Sequence, residues 1–175
     1  MITFSALIKK HPGSGMKQQL NKVFSDLNPD EINIRMAEFL KFIYIQSMKD
    51  GGFIPVTAEI DQIWHEYILQ TRAYQSLCMD LPGGEFIHHQ TITLSEYSKN
   101  HNRIDVIKGM LDWIPDYCSC FGEFTEQTAP YWIIVDFLSK ELHLTLSQIN
   151  QIGKDKAKSC DSLCAQGTQD LGHLG

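Results

Sequence analysis

Apolar residues recur every three or four positions along most of the chain, which is the spacing of helices that bury one face. The clearest case starts at Asn28-Pro29, where Asn28 suits a helix cap and Pro29 suits the first helical position. The apolar positions that follow keep helical spacing: Ile32, Met36, Phe39, Leu40 and Ile43. Gly51-Gly52 interrupts the pattern. The pattern predicts one helix from residue 28 to about residue 49.

A second long helix is predicted from Thr57 to Cys78 or Met79. Its apolar positions fall near one face: Ile60, Trp64, Tyr67, Ile68, Tyr74 and Cys78. The sequence Leu81-Pro82-Gly83-Gly84 breaks the pattern, and a loop is expected from Glu85 to Gln90.

Shorter helical patterns occupy the rest of the chain. They cover residues 16–27, a stretch that starts at a Thr93–Glu96 capping box, residues 102–113, residues 128–138 and residues 145–152. Alternating strand patterns are weak. The sequence therefore predicts an all-α bundle of five to seven helices, with one domain over residues 1–152 and a flexible tail over residues 153–175.

Composition narrows the class of protein. The chain has 175 residues, of which 43% are hydrophobic and 21% charged, as in a single globular domain. Its net charge of −6 argues against a nucleic-acid partner, because binding to phosphate backbones needs a basic face. The most apolar segment, residues 39–45, contains a lysine and is far shorter than the roughly 20 residues that span a bilayer, so no membrane partner is expected.

The cysteines and the N-terminus indicate a cytoplasmic protein. Five cysteines cannot all pair within one chain, and neither close pair, Cys118/Cys120 or Cys160/Cys164, has the CxxC spacing of a zinc ribbon. Free thiols in a reducing compartment are expected. No basic region or cleavage pattern of a secretory signal surrounds the short apolar stretch at residues 2–8.

Candidate chemistry is concentrated between Asp61 and His89. Asp61 and His65 are four residues apart, so they are neighbours on a helix, and Arg72 follows seven residues later on nearly the same side of a straight helix. His88 and His89 come after a glycine-rich turn that can fold back toward the helix. A carboxylate and two imidazoles can bind zinc or iron and leave positions open for water or substrate.

A structural interpretation uses the same residues. Asp61 and His65 can form an ion pair at the start of the helix, while His88 or His89 pins the loop. Trp64, Tyr67 and Tyr74 fit a hydrophobic core better than a ligand cage.

The chain resembles the glycine-rich-domain-protein-like family, a domain of unknown function. The resemblance rests on FLKFIY at residues 39–44, IDQIWHEYILQTRAYQSLC at 60–78, FIHH at 86–89 and YCSCFG at 117–122. It implies a compact helical domain in a short stand-alone member of bacterial type, and it implies no established reaction. A motif that combines Asp, Trp-His, Cys and His-His is hard to explain by core packing alone.

Two functional hypotheses follow. The first is a metal or small-ligand site, with or without enzymatic activity, in which Asp61, His65 and one of His88 and His89 bind zinc or iron; Arg72 would anchor an anionic ligand and Tyr74 would line the pocket. The second is a non-catalytic module that binds a protein partner and whose Asp/His network is structural. Two structural predictions accompany them: His65 converges with His88 or His89, and Trp64 is buried against residues 39–43.

Overall fold

A computed structural model describes residues 3–49, 54–89, 99 and 102–166 of the chain. These residues form a helical bundle. Its α-helices are α1 (Phe4–Lys10), α2 (Ser14–Val23), α3 (Pro29–Gln46), α4 (Ala58–Leu69), α5 (Thr71–Asp80), α6 (Arg103–Leu111), α7 (Trp113–Phe121), α8 (Ile133–Glu141) and α9 (Leu146–Gln166). No helix within these ranges is long and apolar enough to cross a membrane.

The central helix of the bundle is α3, which packs against α1, α2, α4 and α7. It begins with a complete capping box: the Asn28 side chain accepts from the Glu31 backbone N–H, and the Glu31 carboxylate accepts from the Asn28 N–H. Phe39, Phe42 and Ile43 are fully buried. Burial of a side chain of this size contributes roughly 1.5–3 kcal/mol. The predicted start of this helix is therefore confirmed, and α3 ends at Gln46.

A short contact between extended segments sets the position of α4. Val56 and Trp132 form an antiparallel bridge, in which the Ile133 N–H donates to the Pro55 carbonyl over 2.8 Å. The Thr57 N–H donates to the Tyr131 carbonyl over 3.0 Å. This pairing ties the chain just before α4 to the start of α8.

The packing of α9 against α7 depends on a glycine. A Cβ on Gly153 would overlap the Cys118 sulfur and lie 3.0 Å from the Cys118 Cβ and 3.2 Å from Ile114 Cγ2. Gly153 therefore lets α9 approach α7 closely. The predicted end of the last helix at residue 152 is wrong, because α9 continues to Gln166. The division into a domain over residues 1–152 and a tail over 153–175 stays a prediction.

The all-α class is confirmed, but the predicted number of helices is too low even for the described residues. The sequence pattern predicts no separate helix at α1 or at α7. It also misses a break at Gln70, whose ψ of 63° is not helical and separates α4 from α5. Apolar positions keep their helical spacing across this break, so the pattern predicts one continuous helix. The helix predicted to start at Thr93 lies outside the described residues.

Candidate metal site

Two of the predicted site residues lie on α4. Asp61 is in its first turn, where a carboxylate is favoured by the positive end of the helix dipole. His65 lies one turn later, and its Nδ1 is 2.9 Å from the Asp61 carbonyl oxygen and 3.4 Å from the Asp61 Oδ2. A carbonyl oxygen only accepts hydrogen bonds, so this contact places a proton on Nδ1, and in the neutral ring Nε2 is then the nitrogen that can bind a metal. Histidines that bind metals are commonly oriented by such a bond.

The loop after α5 returns to α4 because of two adjacent glycines. A Cβ on Gly83 would overlap the carbonyl oxygen of Ser47, so only glycine fits against the end of α3. Gly84 has a φ of +63°, in the left-handed region that glycine adopts without strain. The chain then runs through residues 85–89 without helical structure.

His89 completes the cluster. Its Nε2 is 2.9 Å from the Asp61 Oδ1, and its ring centroid is 4.3 Å from that of His65. The same ring packs edge-on against Trp64, with centroids 4.3 Å apart. The predicted convergence of His65 with one of the two later histidines is therefore confirmed, and the histidine is His89.

The geometry of the cluster suits a metal ion. Asp61, His65 and His89 each offer a ligand atom, and these atoms lie within 4.8 Å of one another. Two donors bound at about 2.1 Å with a tetrahedral angle lie about 3.4 Å apart, so shifts of about 1 Å bring all three into bonding distance. The side chain of His89 is 12% exposed, that of Asp61 is 21% exposed and that of His65 is 52% exposed. One side of the cluster therefore faces the core and the other faces solvent.

The remaining predicted site residues lie elsewhere. His88 is exposed, packs against Phe86 with ring centroids 5.1 Å apart, and lines a groove with Lys49 and Glu85. Arg72 is exposed on α5 and lines a different groove with Gly13 and Gln70. The polar stripe predicted for Asp61, His65 and Arg72 assumed a straight helix, and the break at Gln70 removes that assumption.

Tyr74 is buried rather than exposed to a pocket. It is 1% exposed, and its hydroxyl accepts from Trp64 Nε1 over 3.0 Å and donates to the Ile87 carbonyl over 2.5 Å. The predicted burial of Trp64 is confirmed: it is 3% exposed, and its ring centroid is 5.2 Å from that of Phe42. The roles of Arg72 and Tyr74 as ligand-binding residues stay predictions.

A comparison with protein-family models assigns the chain to a family. The model of the UCP032817-like family matches residues 6–115, more than half of the chain and all three members of the cluster. The chain belongs to the UCP032817-like family. No curated protein and no solved structure matches it. The match is to a family of unknown function, and the resemblance to glycine-rich-domain proteins stays a prediction.

Sequence reasoning missed two buried polar groups of this UCP032817-like chain. His11, which is 5% exposed, places Nε2 2.8 Å from the Asp80 carboxylate and Nδ1 3.3 Å from the Tyr67 hydroxyl. This contact pins the end of α1 to the end of α5. The hydrogen bonds that His11 and Lys10 donate lower the pKa of Asp80 below its usual value. No local signal in the His-Pro-Gly turn identifies these partners, which are far away in sequence.

The second missed group surrounds Glu38, which is 1% exposed. Its carboxylate accepts from Trp132 Nε1 over 2.8 Å and from Lys41 Nζ over 2.7 Å, and the Tyr117 hydroxyl is 3.3 Å away. Burial alone would lower the pKa of Lys41, but the Glu38 charge and the hydrogen bonds raise it. The lysine at position 41, within the apolar segment of residues 39–45, was the feature of the sequence that could have indicated a buried charged partner. The network satisfies its members and links α3, α7 and the start of α8.

The described thiols do not add ligands to the cluster. Cys78 is fully buried, and burial raises the pKa of its thiol, as it does for Cys118 and Cys120. Thiols with raised pKa values are poor nucleophiles and poor metal ligands at neutral pH. The donors of the candidate site are therefore one carboxylate and two imidazoles.

Proposed function

We propose that the protein binds one divalent transition-metal ion, zinc or iron(II), through Asp61, His65 and His89. The observation that carries the proposal is the convergence of these three side chains from α4 and from a loop 24 to 28 residues later in the chain. Nitrogen and oxygen donors of this kind suit zinc and iron(II).

The hydrogen bond between Asp61 and His89 fits this proposal. Metal ligands must be deprotonated, so an ion would replace the proton that now lies between Asp61 Oδ1 and His89 Nε2. Three protein ligands leave at least one coordination position open. The half-exposed side of the cluster, at His65, would supply that position with water or a small ligand.

The second candidate function is a non-catalytic protein-interaction module in which the Asp/His network is structural. It is favoured by the same 2.9 Å contact, because Asp61 and His89 already satisfy each other without an ion. In that case the packing of His89 on Trp64 serves only to hold the loop.

Metal analysis of protein purified without a histidine tag separates the two. The protein is stripped of metal, dialysed against zinc or, without oxygen, against iron(II), and analysed for bound ion per chain. We expect about one ion in the wild type and in His88→Ala, and a strong loss in His65→Ala and His89→Ala. His88 is the matched control, since it is adjacent to His89 and exposed outside the cluster. A wild type without bound metal, or equal losses in all three variants, would contradict the proposal.

A further inference from the structure

One hydroxyl group joins the His89 loop to two helices at once. Tyr74 lies on α5, after the break at Gln70, and its oxygen is between Trp64 Nε1 on α4 and the carbonyl of Ile87 in the loop. Trp64 Nε1 can only donate and the Ile87 carbonyl can only accept. The direction of both hydrogen bonds is therefore fixed, and the hydroxyl joins α4, α5 and the loop.

The position of Ile87 restricts the position of His89. The two residues are two apart, and a fully extended chain advances at most about 3.3–3.6 Å per residue, so His89 lies within about 7 Å along the chain of an anchored carbonyl. Phe86 gives the same stretch a second contact, with its ring centroid 5.2 Å from that of Tyr74. Trp64, the other partner of the hydroxyl, is also the ring on which His89 packs.

We propose that Tyr74 is the positioning residue of the metal site, and that its hydroxyl sets His89 against Asp61 by holding Trp64 and the Ile87 carbonyl together. The inference rests on the proposed function. Tyr74 does not touch the ion; it acts through His89. Burial raises the pKa of Tyr74, so its hydroxyl keeps the proton that it donates to Ile87 throughout the neutral range.

Removal of this hydroxyl has a defined consequence. In Tyr74→Phe the ring still fills the core, but the buried Trp64 N–H and the partly buried Ile87 carbonyl both lose this partner. One of the contacts that join the loop to α4 and α5 is then lost, and His89 is held less firmly at its distance from Asp61. Loss of a group that bonds directly to a metal ligand typically lowers metal affinity 10- to 100-fold. Tyr74 acts on His89 through Trp64 and Ile87, and we expect its loss to fall within the same range.

A tyrosine of the same burial provides the control. Tyr67 lies on α4, is fully buried, and its hydroxyl contacts His11 instead of the loop. Tyr67→Phe therefore removes one buried hydroxyl without touching the connection to Ile87. We expect both variants to melt at a lower temperature than the wild type, so melting temperature alone does not test the inference.

Two measurements on the full chain test it. Zinc affinity, from competition with a chromophoric chelator, should fall 10- to 100-fold in Tyr74→Phe and stay within threefold of the wild type in Tyr67→Phe. In metal-free protein, the NMR signals of the His89 ring should lose the ring-current shift from Trp64 in Tyr74→Phe only. Wild-type affinity together with an unchanged His89 shift in Tyr74→Phe would overturn the inference and leave the metal site standing. A wild type that binds neither zinc nor iron(II) would overturn the proposed function, and the His89 signals would still decide whether Tyr74 positions this histidine.

Discussion

Substitution of Asp61 by asparagine distinguishes a metal ligand from a structural carboxylate. Asparagine keeps the shape of the side chain and one oxygen acceptor but removes the charge. Asp61 accepts from His89 over 2.9 Å, and the 3.4 Å contact to His65 involves a ring that is 52% exposed. The bond to His89 therefore carries most of the effect on stability.

The expected loss of stability follows from these contacts. A hydrogen bond to a charged group contributes about 1.5–3 kcal/mol and a neutral one about 0.5–1.5 kcal/mol. Replacement of the charged hydrogen bond between Asp61 and His89 by a neutral one lowers the free energy of unfolding by about 1–1.5 kcal/mol. Loss of the exposed contact to His65 adds at most about 0.5 kcal/mol. The total of about 1–2 kcal/mol corresponds to a drop in melting temperature of about 2–8 °C for a chain of this size.

The expected loss of metal binding is larger. Removal of a negatively charged ligand should lower zinc affinity by at least 10- to 100-fold, or about 1.4–2.7 kcal/mol. Thermal melts with and without zinc, together with chelator competition, measure both quantities on the same samples. Asp136→Asn is the matched control, because Asp136 also has a partner four residues later, Lys140 at 2.9 Å, on an exposed helix surface. It should change stability by less than about 0.5 kcal/mol and leave zinc affinity unchanged.

Two results would refute this reasoning. Zinc affinity of Asp61→Asn within threefold of the wild type would show that Asp61 is not a ligand. A stability loss above about 3 kcal/mol, combined with binding of neither zinc nor iron(II) by the wild type, would show a buried structural pair. That second result would favour the interaction module.

Three further predictions concern the fold. Trp64→Ala should destabilise the protein by about 3–5 kcal/mol, measured by thermal melting, because it removes a buried ring that packs on α3; an unchanged midpoint would contradict this burial. Gly153→Ala should destabilise the protein by about 1–3 kcal/mol, because the added Cβ overlaps α7. Gly109→Ala is the control: this glycine lies on a helix with open space around its Cβ, and the change should stabilise the protein by about 0.5–1 kcal/mol. Equal effects of the two changes in denaturant titrations would show that Gly153 is not a close contact. Since the folded-state pKa of Asp80 is lowered, its contribution is present above the unfolded pKa of about 3.9 and is lost as the pH falls through the lower folded value. Asp80→Asn should therefore cost about 1.5–3 kcal/mol at pH 7, and the cost should decline as the pH falls below about 3.9 in urea titrations; a cost that does not depend on pH would rule out the charge as its origin.

The sequence alone determined the helical class, the start of α3 and the candidate metal ligands. The start of a helix depends on residues that are adjacent in the sequence. Here the Asn28 side chain caps the backbone N–H groups of the next turn, and Pro29 occupies the first helical position. The burial of Trp64 and its packing against α3 followed from helical spacing, because one face of an amphipathic helix must be covered.

Only the tertiary structure decided which residues meet. Helical spacing is the same on both sides of Gln70, so the sequence could not show that the helix breaks there and that Arg72 turns into a different groove. The choice of His89 over His88 depends on the direction of the loop. Contacts between residues distant in the chain fix that direction: Gly83 against the Ser47 backbone, and the Tyr74 hydroxyl on the Ile87 carbonyl. Adjacent residues have the same local chemistry, so only packing can tell them apart.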